Sequence, residues 1–183
     1  MNLPNSLTLS RIFLVPILLV VLLTGHFPNK EFWGLVVFLA AAATDYFDGY
    51  LARRRKQVTN FGKLFDPLAD KLLISSCLIA MVQLEAAPAW MVVLIVGREF
   101  AVTGLRSIAA SNGITVAASS LGKWKMVSQV ACCGFLIVSN PYPEGMMFSI
   151  GQVLLWITAI ISIISMIQYF KVFWGRIGMV GGK

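Results

Sequence analysis

Charge is the scarcest property of this 183-residue sequence. Charged residues make up 13% of it and only 8 residues are acidic, whereas charged residues fill about a quarter of an average soluble domain. Histidine occurs once and cysteine three times. The cysteines lie in apolar stretches without metal-ligand spacing, and there is no GxxxxGK phosphate-binding loop. These absences argue against a soluble domain, a disulfide framework, a zinc site and a P-loop nucleotide site.

Long apolar runs take the place of the missing charge. Hydrophobic residues make up 58% of the chain, and the mean hydropathy is +0.80. Runs of about 20 residues match the helical length that crosses a hydrocarbon core of about 30 Å. The pattern predicts an all-α membrane protein that forms a single domain over residues 1–183, with six transmembrane helices and a short N-terminal interfacial segment. The predicted spans are 9–23, 32–51, 66–84, 89–110, 123–139 and 146–170.

Most of the basic residues collect on one side of this six-span arrangement. The other side has Lys30 alone. Because Lys and Arg in short loops mark the cytoplasmic face, both termini are predicted to be cytoplasmic. This distribution accounts for the net charge of +7 without a nucleic-acid partner. The basic residues of the predicted cytoplasmic side are Arg11, Arg53, Arg54, Arg55, Lys56, Lys63, Lys123, Lys125, Lys171, Arg176 and Lys183.

Half of the acidic residues fall within the stretch Asp45–Asp70. Asp45 and Asp48 are three residues apart and Asp66 and Asp70 are four apart, so each pair faces one side of a helix. An antiparallel helix pair would bring all four together at its cytoplasmic end. Carboxylates without His or Cys suit Mg²⁺, Mn²⁺ or Ca²⁺. Two such ions favour attack at phosphorus, with Asp70 serving partly as general base on an alcohol.

Simpler interpretations compete for individual residues of this stretch. Asp66 directly before Pro67 is typical of a helix N-cap followed by a first-turn proline. Asp45 or Asp48 alone would suit an ion pair with Arg53. None of these interpretations explains four carboxylates on converging faces beside apolar spans, where charge is costly.

Small and basic residues between the acidic pairs also have two interpretations. Gly49 and Ala52 are small enough to let a nucleotide approach closely, although small residues equally serve ordinary helix packing. The run Arg53–Lys56 is typical of a segment that faces lipid headgroups, with Arg53 the candidate for a role in the site.

Together these positions form the pattern Asp45-x2-Asp48-Gly49-x2-Ala52-Arg53-x8-Gly62-x3-Asp66-x3-Asp70. The pattern resembles the signature of the CDP-alcohol phosphatidyltransferase family, with every position filled. The resemblance implies six transmembrane helices, usually in a homodimer, and two divalent ions, Mg²⁺ or Mn²⁺. By the same resemblance, Asp45, Asp48, Asp66 and Asp70 would hold the metals and Asp70 would be the catalytic base. The residues implied at the CDP site are Gly49, Ala52, Arg53 and Gly62.

A second group of charged residues lies in and after the fourth predicted span. Arg98 and Glu99 fall well inside the span, where an isolated Arg would be expensive, so a buried partner or a substrate is implied. Glu99 is a candidate partner for Arg98 or for another base. With Arg106, Lys123 and Lys125, Arg98 would suit a dianionic phosphate. The alternative is that Arg106, Lys123 and Lys125 are positive-inside anchors.

Four stretches extend the resemblance from Asn2 to about Tyr169: LPNSLTLSR, FGKLFDPLADK, GREFAVTGLR and LGKWK. They resemble bacterial members of the family that transfer the phosphatidyl group of CDP-diacylglycerol to sn-glycerol 3-phosphate and release CMP. The resemblance implies a multi-pass protein among the lipids of the bacterial cell membrane, with its active site facing the cytoplasm. It places Asn5 and Thr8 near the nucleotide and the metals. The residues implied at the acceptor phosphate are Arg98, Arg106, Lys123 and Lys125.

Two alternatives to this function stay open at the level of sequence. A member of the same family would accept inositol phosphate, serine or phosphatidylglycerol instead, and a neutral acceptor would not need the bases from Arg106 to Lys125. A divalent-cation transporter would also carry carboxylates within its spans. A transporter should have polar groups along the whole crossing, whereas here they crowd one end of the spans, which favours an enzyme.

Overall fold

The structure is a computed structural model that describes residues 3–25, 28–55, 60–111 and 120–180. Within these ranges, the side chains described are those outside 3–9, 45–55, 60–68, 70, 120–123 and 175–180. The predicted all-helical architecture is confirmed throughout these ranges, which contain six helices and no strand. The helices are α1 (Leu3–Leu23), α2 (Lys30–Arg55), α3 (Asn60–Gln83), α4 (Ala89–Ser111), α5 (Ser120–Ser139) and α6 (Met146–Val180).

Two helices, α1 and α3, begin six residues earlier than the apolar runs predict. The polar residues expected to form a short N-terminal segment are the first turns of α1, which runs from Leu3 without a break. The third helix begins at Asn60, six residues before Asp66. The interpretation of Asp66 as an N-cap and Pro67 as a first-turn proline is therefore wrong, because both lie in the helix interior. Helix α3 packs against α1, α2, α4 and α5, and packing of this kind can outweigh a local cap signal.

The turn between α3 and α4 is closed by a Schellman motif. Glu85 adopts the left-handed conformation with a φ of 58°. Its N–H donates to the carbonyl of Val82 at 3.0 Å, and the N–H of Ala86 donates to the carbonyl of Met81 at 2.8 Å. These bonds satisfy carbonyls that the helix end leaves free. The motif lets α4 start within a few residues and run back alongside α3.

The helices pack as a bundle around a shared apolar core. Helix α1 contacts α2 and α3, α6 contacts α4 and α5, and α3 and α5 connect the two groups. Fully buried core side chains come from every one of these helices, and they include Leu18, Phe38, Met81, Ile95, Leu136 and Leu155.

Many large apolar side chains lie on the outside of the bundle. Trp33 of α2, Val93 of α4 and Ile164 of α6 are exposed, as are many of their neighbours. Among the described residues, one stretch, Met146–Trp174 of α6, is long and apolar enough to cross a membrane, with a mean hydropathy of 2.2. Within the described residues of α1, α3 and α5, the apolar stretches are shorter: Ser10–Leu23, Lys71–Gln83 and Trp124–Ser139. Six membrane crossings and cytoplasmic termini therefore stay predictions.

Candidate functional site

The four aspartates lie on two helices that are neighbours in the bundle. Asp45 and Asp48 belong to the last third of α2, and Asp66 and Asp70 belong to the first half of α3. The two helices contact each other, and only residues 56–59 lie between them in the sequence, so they run antiparallel. The helical spacing predicted for each pair is thus present in the backbone. The aspartate side chains lie outside the described residues, so their convergence stays a prediction.

The residues predicted to bind the nucleotide belong to three helices that contact one another. Asn5 and Thr8 fall in the first turns of α1, while Gly49, Ala52 and Arg53 fall in α2. Gly62 falls in the first turn of α3. Because α1 contacts both α2 and α3, all of these positions are on mutually packed helices. The side chains of these residues lie outside the described part of the chain.

Helices α4 and α5 bury an ion cluster. Arg98 and Lys125 are 5% and 6% exposed, and Glu99 is 9% exposed. Arg98 donates through Nη1 to Oε1 of Glu99 at 3.1 Å, and Lys125 donates through Nζ to the same oxygen. Two cations thus share one carboxylate, so the cluster carries a net charge of +1. Buried charges are stable only when they are paired, and the unbalanced cation makes the cluster attractive to an anion.

Helix α6 completes the surroundings of Arg98. The Nη2 atom of Arg98 donates to Oγ of Ser165, which is fully buried. The guanidinium carbon lies 5.8 Å from the centre of the Tyr169 ring, within the range of a cation–π interaction. Three helices therefore meet at this cluster, with Arg98 and Glu99 from α4, Lys125 from α5 and Ser165 with Tyr169 from α6.

The four bases predicted at the acceptor phosphate do not all occupy the same environment. Arg98 and Lys125 meet through Glu99, so the interpretation of Lys125 as a surface anchor is wrong. Arg106 is exposed, two turns further along α4. It does not join the described cluster, and both interpretations of Arg106, phosphate binding and a positive-inside anchor, stay predictions. Lys123 falls in the first turn of α5, and its side chain lies outside the described residues.

Arg11 has a different environment from the one the charge pattern predicts. The sequence places it among the basic residues of the cytoplasmic side, but it is 1% exposed in α1. It is among the largest fully buried side chains of the described part of the protein. Arg11 follows Asn5 and Thr8 at helical spacing on α1. It therefore belongs to the interior of the bundle, on the helix that contacts α2 and α3.

Sequence reasoning missed Ser165 and Tyr169. Both occur in a long apolar run without a motif, and nothing local distinguishes Ser165 from Ser162 or Thr158. A weak signal is present in the spacing, since Thr158, Ser162, Ser165 and Tyr169 recur at i, i+4, i+7 and i+11. All of them are buried, so this polar stripe of α6 faces the bundle.

A divalent metal suits the chemistry of the predicted ligands. Four carboxylates on neighbouring helices supply hard oxygen donors, which Mg²⁺ and Mn²⁺ prefer. No other group of three or more potential ligands among the described residues could hold a metal ion. The predicted acidic corner of α2 and α3, made of Asp45, Asp48, Asp66 and Asp70, would thus suit cations. The basic cluster of α4, α5 and α6 suits an anion.

Comparison with known proteins gives consistent results across most of the chain. Residues 1–164 match the family model described as CDP-alcohol phosphatidyltransferase. This range includes every position of the acidic pattern and the basic cluster up to Lys125.

Three curated relatives bear the same name, CDP-diacylglycerol–glycerol-3-phosphate 3-phosphatidyltransferase. The protein of Bacillus subtilis (strain 168) is 42% identical over 184 residues, which cover 94% of this chain and 95% of the relative. The protein of Rickettsia felis is 37% identical, with 93% and 94% covered. The protein of Pseudomonas fluorescens is 34% identical, with 100% and 95% covered. The similarity thus extends over nearly the full length of each protein.

Proposed function

Because the chain belongs to the CDP-alcohol phosphatidyltransferase family, we propose that it transfers the phosphatidyl group of CDP-diacylglycerol to sn-glycerol 3-phosphate. The products are phosphatidylglycerophosphate and CMP, so the enzyme acts in phospholipid biosynthesis on the route to phosphatidylglycerol. The names of the full-length relatives support both substrates.

One structural observation favours a phosphorylated acceptor. Arg98 and Lys125 are buried together and share the single carboxylate of Glu99. Keeping two cations in the bundle interior is costly unless they serve a bound anion. A phosphomonoester such as glycerol 3-phosphate carries that anion, whereas serine has no phosphate group.

The chain's own residues would act on the acceptor in two places. Arg98 and Lys125 would bind its phosphate, and the side chain of Asp70 would accept the proton of its hydroxyl group. The hydroxyl oxygen would then attack the phosphorus that carries the diacylglycerol. The new P–O bond forms as the bond to the CMP oxygen breaks, and CMP leaves with the electron pair.

The acidic corner would hold the donor. Asp45, Asp48, Asp66 and Asp70 would hold two divalent ions, Mg²⁺ or Mn²⁺. Such ions, when bound, polarise the reacting phosphate and acidify the hydroxyl nucleophile. Asn5 and Thr8 of α1 would lie beside the nucleotide. The cytidine would approach the helices closely at the small residues Gly49, Ala52 and Gly62. Arg53 would place a positive charge beside it.

We place the enzyme in the bacterial cell membrane as a multi-pass protein with its active site towards the cytoplasm. The apolar side chains exposed around the bundle support contact with lipid, since soluble monomers rarely expose so much apolar surface. The diacylglycerol tails would then enter sideways between helices while the head group reaches α2 and α3. The resemblance to the family further supports a homodimer, which native mass spectrometry in detergent would reveal.

The proposed reaction is tested by identifying the product. Detergent-purified protein is incubated with CDP-diacylglycerol, Mg²⁺ and glycerol 3-phosphate, and the lipids are analysed by mass spectrometry. We expect phosphatidylglycerophosphate in amounts equal to the CMP released, no product after chelation with EDTA, and recovery when Mg²⁺ or Mn²⁺ is restored. CMP without the phosphorylated lipid would contradict the proposed acceptor.

A further inference from the structure

Arg98 needs a fixed orientation in order to recognise a phosphate. Its guanidinium is a planar group with five N–H donors, all in the plane, and two-point contact with phosphate oxygens works only if a donor-carrying edge is turned towards the ligand. An Arg side chain has many rotamers, so its plane is set by what surrounds it. The residues that set it contribute to binding without touching the acceptor.

Ser165 supplies one of these restraints from the far end of the chain. It lies on α6, 67 positions after Arg98, and its Oγ accepts a hydrogen bond from Nη2. Ser165 is fully buried, so water does not compete for this bond. Hydrogen bonds to charged groups are stronger than those between neutral groups, so this bond favours one orientation of the guanidinium.

Tyr169 supplies a second restraint one turn further along α6. Its ring lies against the guanidinium at 5.8 Å, and the side chain is 9% exposed. The ring limits rotation of the guanidinium, while Glu99 holds Nη1 at 3.1 Å. The plane of Arg98 is therefore held from α4 and from α6 at once.

One donor atom of Arg98 is left without a partner. Its Nε atom is buried and has no hydrogen-bond partner among the residues that the structure describes. A buried donor without a partner destabilises the folded protein. A phosphate oxygen that reaches this N–H would remove that destabilisation, and the held plane keeps the donor in place for it.

We propose that α6 is part of the acceptor site, with Ser165 and Tyr169 as positioning residues that fix the guanidinium of Arg98 for the acceptor phosphate. This inference rests on the function proposed above. It assigns to α6 a role in recognising a small phosphomonoester, in addition to its packing against α4 and α5.

The chain offers a closely matched control for Ser165. Ser162 is also fully buried on α6, one turn earlier. Its Oγ has no hydrogen-bond partner in the described part of the protein. Ser165→Ala and Ser162→Ala each remove one buried hydroxyl from the same helix, but only the first removes a contact with Arg98.

The first test compares steady-state kinetics of the full chain in detergent with CDP-diacylglycerol, Mg²⁺ and varied glycerol 3-phosphate. For Ser165→Ala we expect KM for glycerol 3-phosphate to rise about tenfold, with kcat and KM for CDP-diacylglycerol within about twofold of the native enzyme. Ser162→Ala should behave as the native enzyme. Equal KM values for the two variants would overturn the inference, as would a Ser165→Ala defect confined to kcat.

Two variants of Tyr169 give an independent test that does not depend on how well Ser165→Ala folds. Tyr169→Phe keeps the aromatic face, so it should keep KM for glycerol 3-phosphate within about twofold. Tyr169→Leu removes the face and should raise that KM about threefold to fivefold. Indistinguishable KM values for glycerol 3-phosphate in Tyr169→Phe and Tyr169→Leu would contradict the role of the ring.

A binding measurement separates this inference from the proposed reaction. Glycerol 3-phosphate, without CDP-diacylglycerol, should raise the melting temperature of the native protein and of Ser162→Ala, and should raise that of Ser165→Ala clearly less. An equal shift for all three proteins would overturn the positioning role. If the native protein binds glycerol 3-phosphate in this way but releases no CMP, the proposed reaction fails while the positioning role stands.

Discussion

Lys125 of α5 donates a hydrogen bond to the carboxylate of Glu99 on α4, and both side chains are buried. The pair joins α4 and α5, which residues 112–119 connect in the sequence. It therefore fixes the Lys125 ammonium group at a defined place in the bundle. Arg98 shares the same carboxylate oxygen. Glu99 thus stabilises the site by keeping two like charges together.

The charge of Glu99 should be essential for stability. Glu99→Gln keeps the shape of the side chain but leaves two buried cations without an anion, which costs about 3 kcal/mol. For a chain of this length, we expect the melting temperature in detergent to fall by roughly 6–12 °C. Glu144→Gln removes the same charge from an exposed turn and serves as the control. Equal melting temperatures for the two variants would contradict the role of Glu99.

Asp70 should be required for turnover and dispensable for folding. Asp70→Asn removes the proton acceptor and retains a side chain of the same size, so we expect CMP release to fall by about a thousandfold or more. The melting temperature should stay close to that of the native protein, and stabilisation by Mg²⁺ should persist. Near-normal turnover in this variant would rule out the role assigned to Asp70.

Lys125 and Arg106 should differ in their importance for the acceptor. Lys125 is buried in the ion cluster, whereas Arg106 is exposed on α4. Lys125→Gln should raise KM for glycerol 3-phosphate at least tenfold, because a desolvated cation binds phosphate more strongly than an exposed one. Arg106→Gln should change it by about threefold at most. The opposite order of effects in the CMP-release assay would show that the described cluster is not the acceptor site.

Close packing of α5 and α6 depends on Gly151. A methyl group added there would lie 2.9 Å from Cδ2 of Leu136 and 3.4 Å from its backbone nitrogen. Gly104 of α4 has open space around it. Gly151→Ala should lower the free energy of unfolding by about 1 kcal/mol or more, whereas Gly104→Ala should leave it unchanged or raise it. Thermal melting in detergent compares the two, and the reverse order would contradict the described packing.

The sequence predicts much of this fold because each helix overlaps an apolar run of the sequence. The start of α3 shows where such prediction fails. Asp66 and Pro67 form a good local cap signal, yet the helix begins at Asn60. A local cap signal stabilises one end of a helix only, whereas α3 is also stabilised by packing against α1 and α4.

The candidate site, like the fold, can be predicted only in part from the sequence. The spacing of the aspartates follows from one helical period, so the acidic pattern can be recognised without a structure. Glu99 could be predicted as a partner for a base, but its sharing by Arg98 and Lys125 depends on how α4 and α5 pack. Ser165 could not be predicted, because its contact with Arg98 spans 67 positions and follows from tertiary packing alone.

The measurement that most directly tests the proposed function is an acceptor panel. Detergent-purified native protein is given CDP-diacylglycerol and Mg²⁺ with glycerol 3-phosphate, inositol phosphate, serine or phosphatidylglycerol, and CMP release is followed. We predict rapid release with glycerol 3-phosphate and little with the other three. Release with inositol phosphate and none with glycerol 3-phosphate would contradict the proposed acceptor.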